Sequence, residues 1–436
     1  MPPFLQIPLY ILTFVVVISV LVAAHEYGHY LFARIFNMGA EEFAIGFGPK
    51  RWVYAKKTYL IPLGPNDPVP ESGTRRSEGS ALEGGDQSHT IEVVDTPTGK
   101  ALRETTHFTL RPFPLGGFVR IKGMMPADDG SEVHIPGGFY SKPPWQRFIV
   151  LFAGPAFSIL AGILLFIPVL MWDGDAVPEK TAKIAGIVVG SPADKAGLKP
   201  ADQILEINGT KVANVYEMIQ QVKDQGGKTI SVAYLREGKQ ASTQLTPLAP
   251  TSETPVLDRD LMPTGETAKQ AKIGVSWGYR KVPLAFPAAV ARASALPGMA
   301  IANLGSMVKK PETVKDNVGG PMTMFSFTSM AAQDGIAAVI RVAALLSISV
   351  GIFNLLPIFP LDGGQMMVAV VEMLRRGRRV SMRTQNFVGT IGLILVATMF
   401  FGVLFVDFNR FFGKPSEPPA KIRTVEPKAG SADQNK

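Results

Sequence analysis

A chain of 436 residues that is 46% hydrophobic and only 18% charged departs from ordinary soluble domains, which carry about 25% charge. It has the length for a membrane bundle with a soluble module. A net charge of +8 would suit nucleic acid, but the cations stand beside apolar runs, as in membrane proteins, so no nucleic-acid partner is expected. With no cysteine, no disulfide can staple an exported domain, and any metal must be held by histidines and carboxylates.

Residues 4–24 form a nearly uncharged apolar run long enough to cross a bilayer, and helix is expected to continue to residue 36. Val22, Ala23 and Ala24 before a polar residue would suit a signal-peptidase site. No Lys or Arg precedes the run, however, so a retained first span over 1–36 is expected. Residues 37–146 read as a cytoplasmic-side region of strands and loops, with strand character at 43–60 and 106–123. Between them, 65–100 is rich in Gly, Ser, Pro and charge without period, and reads as a mobile insertion. A second span is expected over 147–172.

Residues 183–248 read as a compact module. Strands are expected at 184–189, 203–207, 229–236 and 242–247, a short helical turn at 191–195, and an amphipathic helix at 215–223 with Val215, Ile219 and Val222 on one face. Residues 249–334 form a connector with amphipathic helices, a strand at 273–277 and a break at Gly319, Gly320 and Pro321. A third span and an irregular segment occupy 335–364, a basic stretch 365–386, a fourth span 387–406 and a tail 407–436. Cations between the first two spans (Arg34, Lys50, Arg51, Lys56, Lys57, Lys142, Arg147) and between the last two (Arg375, Arg376, Arg378, Arg379, Arg383) place those connections in the cytoplasm. Asp173 and Asp175 open the connection on the other side.

His25, Glu26 and His29 form the pattern H-E-x-x-H. On a helix, residues four apart share a face, so both histidines can bind one metal, with Glu26 close enough to take a proton from water. Zinc needs a third protein ligand. The position six after His29 is Ile35, which excludes one common soluble pattern. Glu41 and Glu42 are near in sequence, but Asp362 in FNLLPIFPLDGGQM is the better candidate. Prolines and glycines break helix there, and irregular backbone at membrane depth is tolerated only inside protein or along a wet cavity.

HEYGH and NLLPxxxLDGG together resemble the site-2 protease family of intramembrane metalloproteases, nearest to its bacterial RseP-like branch with an exported PDZ domain. GFGP at 46–49, FPLGGFVRIKGM at 113–124 and KPPWQRFIVLFAGP at 142–155 agree. The run SPADKAGLKPADQILEINGTKV resembles a PDZ domain, with Ala201-Asp202 in place of the usual Gly-Asp. The resemblance implies a polytopic α-helical membrane protein of about four spans, a membrane-associated β element and an inserted α+β PDZ-like domain. His25, His29 and Asp362 would bind Zn2+, Glu26 would be the general base, and Asn354 would hold the substrate backbone. Residues 109–121 would be the membrane-entering β element, whose edge can pair with an unwound substrate.

The implied substrates are single-span membrane proteins within the lipid bilayer, either anti-sigma-factor-like regulators trimmed by an upstream site-1-type protease or remnant signal peptides. The implied location is the bacterial inner membrane, with the PDZ-like domain and both termini outside and the active site near the cytoplasmic side. A PDZ scaffold without catalysis and a metal transporter are the alternatives. The second and fourth spans lack the polar residues a transporter would want. Ser158 stands where the family usually has Asn, which leaves the helix contacts there open.

Overall fold

The computed structural model describes residues 3–50, 52–63, 73–77, 87–97, 99–124, 135–178, 181–250, 253–257, 263–309, 319–412 and 422–424. Helix α1 (Pro3–Ile35) leads into strands β1 (Ala40–Phe47), β2 (Trp52–Pro62), β3 (Gly73–Ser77), β4 (Gln87–Thr96), β5 (Gly99–Leu110) and β6 (Phe113–Ile121). Helix α2 (Pro144–Trp172) is followed by β7 (Asp175–Pro178), β8 (Ile184–Val188), α3 (Pro192–Lys195), β9 (Gln203–Ile207), β10 (Thr210–Lys211) and α4 (Val215–Val222). Then come β11 (Ile230–Arg236), β12 (Lys239–Leu245), β13 (Glu253–Leu257), β14 (Pro263–Lys269), β15 (Val275–Trp277) and β16 (Tyr279–Val282). The chain continues with α5 (Phe286–Lys309), α6 (Pro321–Asp334), α7 (Ile336–Asn354), α8 (Asp362–Leu374), α9 (Met382–Phe412) and β17 (Ile422–Thr424). It divides into two units, 1–169 with 286–411, and 170–285 with 412–436.

The first unit combines long helices with a sheet. Among the described residues, four helices are long and apolar enough to cross a membrane: Gln6–Ile35, Pro144–Trp172, Ile336–Asn354 and Arg383–Asn409. These lie where the four spans were expected. Their outward residues are large and apolar, among them Leu12, Val16, Leu164, Ile394 and Phe405, as suits surfaces facing lipid rather than water. Helices α2 and α7 come into near backbone contact, since a Cβ at Gly162 would lie 2.6 Å from the Ala344 carbonyl oxygen and one at Gly351 2.7 Å from that of Pro155. Such close approach is how membrane helices gain packing without a hydrophobic drive between them.

The fourth helix is longer than the sequence suggested. Asp407 falls inside α9 and not in a tail, and it is fully buried. Its carboxylate accepts from the backbone N–H groups of Gly320 (3.1 Å), Met322 (3.1 Å) and Thr323 (3.3 Å) and from Thr323 Oγ1 (2.6 Å). These are the orphan donors at the start of α6, so one carboxylate caps that helix from another element. A second buried charge, Arg147 at the start of α2, pairs with Glu372 of α8 and lies 5.1 Å from the Tyr140 ring centre.

The sheet of this unit runs β3-β4-β5-β1-β6, with β2 also paired to β5. Strand β1 is parallel to β5 and antiparallel to β6. The flanking strands fall where the sequence placed them. The 65–100 segment does not read out as expected, because it holds β3 and β4, and β4 continues the sheet by pairing with β5. Residues 64–72 and 78–86 of that segment lie outside the described residues. The strands escape a periodicity search because the alternation of QSHTIEVVDT is carried partly by polar residues.

The second unit holds a four-stranded sheet, β10-β9-β11-β12, and a three-stranded one, β15-β8-β17. Strands β13 with β14, and β7 with β16, form two further pairs. Its core gathers Ile184, Ile187, Ile204, Ile207, Met218, Val232 and Ile273. Helix α4 buries Val215, Met218 and Val222, while Ile219, expected on that face, is only partly buried. Asn214 caps α4 by accepting from the Glu217 N–H at 2.9 Å. Ala201 has φ 77°, the left-handed conformation that glycine usually supplies. Asp202 beside it is buried and receives Nε (2.8 Å) and Nη2 (2.7 Å) of Arg236.

Candidate metal centre

The HEYGH histidines lie on one face of α1, which presses against α2. A Cβ at Gly28 would fall 2.3 Å from the Ala153 carbonyl oxygen, and one at Gly154 would fall 2.2 Å from His29 Nε2. The glycines of HEYGH and AGP therefore give the imidazoles their room. The third member arrives from α8. Gly363 and Gly364 follow Asp362, and Cβ atoms there would strike the Leu356 carbonyl oxygen (2.2 Å) and the Phe359 nitrogen (2.7 Å). The LDGG glycines thus let the chain fold back on the preceding LLPIF turn and hold Asp362 at the first turn of its helix.

His25, His29 and Asp362 converge. His25 Nε2 lies 3.1 Å from Asp362 Oδ2, His29 Nε2 lies 3.4 Å from the same oxygen, and the two Nε2 atoms are 3.2 Å apart. Both rings are buried. His29 Nδ1 is 2.9 Å from the Val150 carbonyl oxygen, which can only accept, so Nδ1 carries the proton and Nε2 presents its lone pair. His25 Nδ1 is 3.0 Å from Ser158 Oγ. Two imidazole nitrogens and a carboxylate oxygen aimed at one point form a set that could hold a metal ion. Ligands about 2.0–2.1 Å from a tetrahedral zinc lie about 3.3 Å apart, which these separations match. Among the described residues this is the one group of three or more histidines and carboxylates so placed.

Glu26 sits beside the trio on α1, half-buried, and its Oε2 accepts from the backbone N–H of Val119 at 3.0 Å. The approach of β6 to α1 depends on the GG of FPLGGF, since a Cβ at Gly117 would meet Val22 Cγ1 at 2.8 Å. Among the described residues β6 is the last strand of the sheet, and its Val119 amide donates to Glu26. Beyond this edge lies a cavity of about 540 Å3, lined by β6 residues with Tyr140, Gln365, Asn386 and Thr390 among others.

Glu42 takes no part in the cluster. It is buried against Arg111, whose Nη2 lies 2.8 and 2.9 Å from its two carboxylate oxygens, and it receives Thr109 Oγ1 at 2.6 Å. Burial alone would raise its pKa, but these hydrogen bonds with the Arg111 and Lys50 charges hold it below the usual carboxylate value. Glu41, the other acidic residue considered from sequence, is not in the cluster either. Asn354 is the last residue of α7, half-buried, and its side chain makes no hydrogen bond among the described residues. Ser158, Val150 and Val119 were not read from the sequence as site residues. Their types are ordinary, and only the fold brings them to the histidines and Glu26.

A family model described as Peptidase family M50 matches residues 13–66 and 91–399, which is most of the chain. A Brucella suis protein provisionally named a zinc metalloprotease is 29% identical over 419 residues, covering 91% of this chain and 94% of its own. The Enterococcus faecalis protein provisionally named protease Eep is 28% identical over 437 residues, covering 92% of this chain and 99% of its own. A Thermotoga maritima relative, also carrying a provisional zinc metalloprotease name, is 35% identical over 237 residues, covering 54% of this chain and 37% of its own. The helices, the convergence of His25, His29 and Asp362 and the match along most of the chain agree, and the chain belongs to peptidase family M50, the site-2 protease family of membrane metalloproteases.

Proposed function

We propose that this chain is a zinc endopeptidase that hydrolyses peptide bonds of single-span membrane proteins inside the bilayer, with His25, His29 and Asp362 as the metal ligands. The observation that carries the reading is the convergence of those three side chains within 3.4 Å of one another, next to Glu26 and the edge of β6. Zinc bound there would polarise the scissile carbonyl and make water acidic enough to lose a proton near neutral pH. Glu26, on the same helix as the histidines, takes that proton and returns it to the departing amine nitrogen.

A transmembrane helix hides its peptide bonds in its own hydrogen bonds. Among the described residues β6 is the outer strand of the sheet, its backbone could offer replacement partners to an extended strand, and the neighbouring cavity gives that strand room. Asn354 holds the substrate backbone. The positive-inside pattern puts both termini and the 183–248 module outside a bacterial inner membrane, with the active site toward the cytoplasm. The strand and helix order of that module, with its Ala201-Asp202 turn, supports a PDZ-like reading. Tethered directly after α2, it would exclude substrates with bulky external domains until an upstream protease trims them. Anti-sigma-factor-like regulators and remnant signal peptides fit that requirement.

The test is Glu26→Gln, which keeps size and hydrogen bonding but cannot take the proton. Zinc content should be unchanged while turnover of a single-span reporter falls on the order of a hundredfold or more. Single-span proteins should accumulate in membranes carrying the variant. Wild-type turnover in the variant refutes the role of Glu26. For the module, a reporter with an intact ectodomain should resist the full chain and be cut after deletion of 183–248. Equal cleavage of trimmed and intact reporters by the full chain refutes the filter.

A further inference from the structure

A histidine that binds metal through Nε2 must keep its proton on Nδ1, and something must hold that proton. For His29 the holder is the Val150 carbonyl, a backbone atom that no substitution removes. For His25 it is a side chain, Ser158 Oγ at 3.0 Å, on a residue only 1% exposed. A serine hydroxyl can rotate to turn a lone pair toward a donor, so Ser158 can accept from Nδ1. Ser158 is also fixed from the other side. Its backbone carbonyl accepts from Ser347 Oγ of α7 at 2.7 Å, and Ser347 is fully buried. Gly162 and Gly351 clamp α2 and α7 on either side of this contact. One residue of α2 therefore meets the metal-binding helix α1 with its side chain and α7 with its backbone.

We propose that Ser158 is the positioning residue for His25, accepting the Nδ1 proton so that Nε2 is held unprotonated and the ring is held at the angle the metal needs. The proposal rests on the reading of His25, His29 and Asp362 as zinc ligands. An asparagine at this position would likewise offer an oxygen acceptor.

The experiment uses the full chain purified in detergent. The zinc dissociation constant is measured by competition with a chelator, and Co2+ is substituted to read ligand geometry by absorption. Ser158→Ala should weaken zinc binding about 10–100-fold, the usual effect of losing an outer partner of a metal-binding histidine, and should alter the Co2+ spectrum. Ser158→Asn should restore both. Ser347→Ala removes a hydrogen bond to the Ser158 backbone but leaves the Ser158 hydroxyl beside His25, and should change both far less than Ser158→Ala. Wild-type affinity in Ser158→Ala overturns the proposal. So does an equal loss in Ser347→Ala, which would make the effect one of packing. If Ser158→Ala does not fold, Ser158→Asn decides alone, with wild-type affinity in support and a loss in folded protein against. A wild-type chain that binds no zinc sinks the metal reading itself, and this proposal with it. Zinc in the wild type with an unaffected Ser158→Ala sinks only the role of Ser158.

Discussion

The backbone N–H of Val119 donates to Glu26 Oε2 at 3.0 Å, so the edge strand and the carboxylate beside the metal centre are joined by one hydrogen bond. The N–H points away from β1, so proline at this position removes no ladder bond. Hydrogen bonds to charged groups contribute about 1.5–3 kcal/mol, equivalent to roughly 10–150-fold. Val119→Pro should therefore lower kcat by about that factor while zinc content and thermal stability stay near wild type. A variant with unchanged kcat would show that the strand does not orient Glu26.

Asp362→Ala should remove zinc and activity together. Losing a direct ligand should cost more than the roughly 10–100-fold that an outer partner costs. Asp202→Ala is the matched control. Its carboxylate is engaged by Arg236 in the second unit, so the variant should destabilise that unit and leave the metal content unchanged. Full zinc in Asp362→Ala, measured by metal analysis of purified protein, would overturn the ligand assignment.

The buried pair of Glu42 and Arg111 predicts an acid-sensitive component of stability. The pKa of Glu42 is lowered in the fold. Its contribution is thus fully present above the unfolded value near 4.5, and is lost as pH falls through the lower folded value. Glu42→Gln leaves Arg111 buried without its counter-charge and should cost about 3–5 kcal/mol at neutral pH. Thermal unfolding in detergent should show a gap between the two proteins at pH 7 that narrows on acidification below about 4. A gap independent of pH would assign the loss to packing.

Residues 67–90 fall between the two segments matched by the family model, yet β3 and most of the start of β4 lie within them. Because these strands extend the sheet from β5, on the side away from β6, their removal leaves β5, β1 and β6 paired. Deleting 67–90 with a short linker should preserve zinc binding and reporter cleavage. Loss of cleavage in a folded, zinc-loaded deletion would give the insertion a part in substrate handling.

The sequence made the spans legible because twenty apolar residues admit few other structures, and it pointed to the cluster of His25, His29 and Asp362 because HEYGH and LDGG are local patterns. It gave no sign of the Ser158–His25 contact, which spans 133 residues, or of Val119 at Glu26, which spans 93. Such contacts depend on helix register and on glycines that allow close approach, and neither has a local signature. The strands of the 65–100 segment were hidden for a related reason. Pairing stabilises them, β4 with β5 and β3 with β4, so their own composition need not announce them.

Asp407 has a consequence for how the chain is assembled. A carboxylate in an otherwise apolar helix resists leaving water until it finds donors. Its donors lie more than 80 residues earlier in the chain, at the start of α6. The seating of α9 is therefore tied to the presence of α6, and the two helices should be lost together when 319–323 is disturbed.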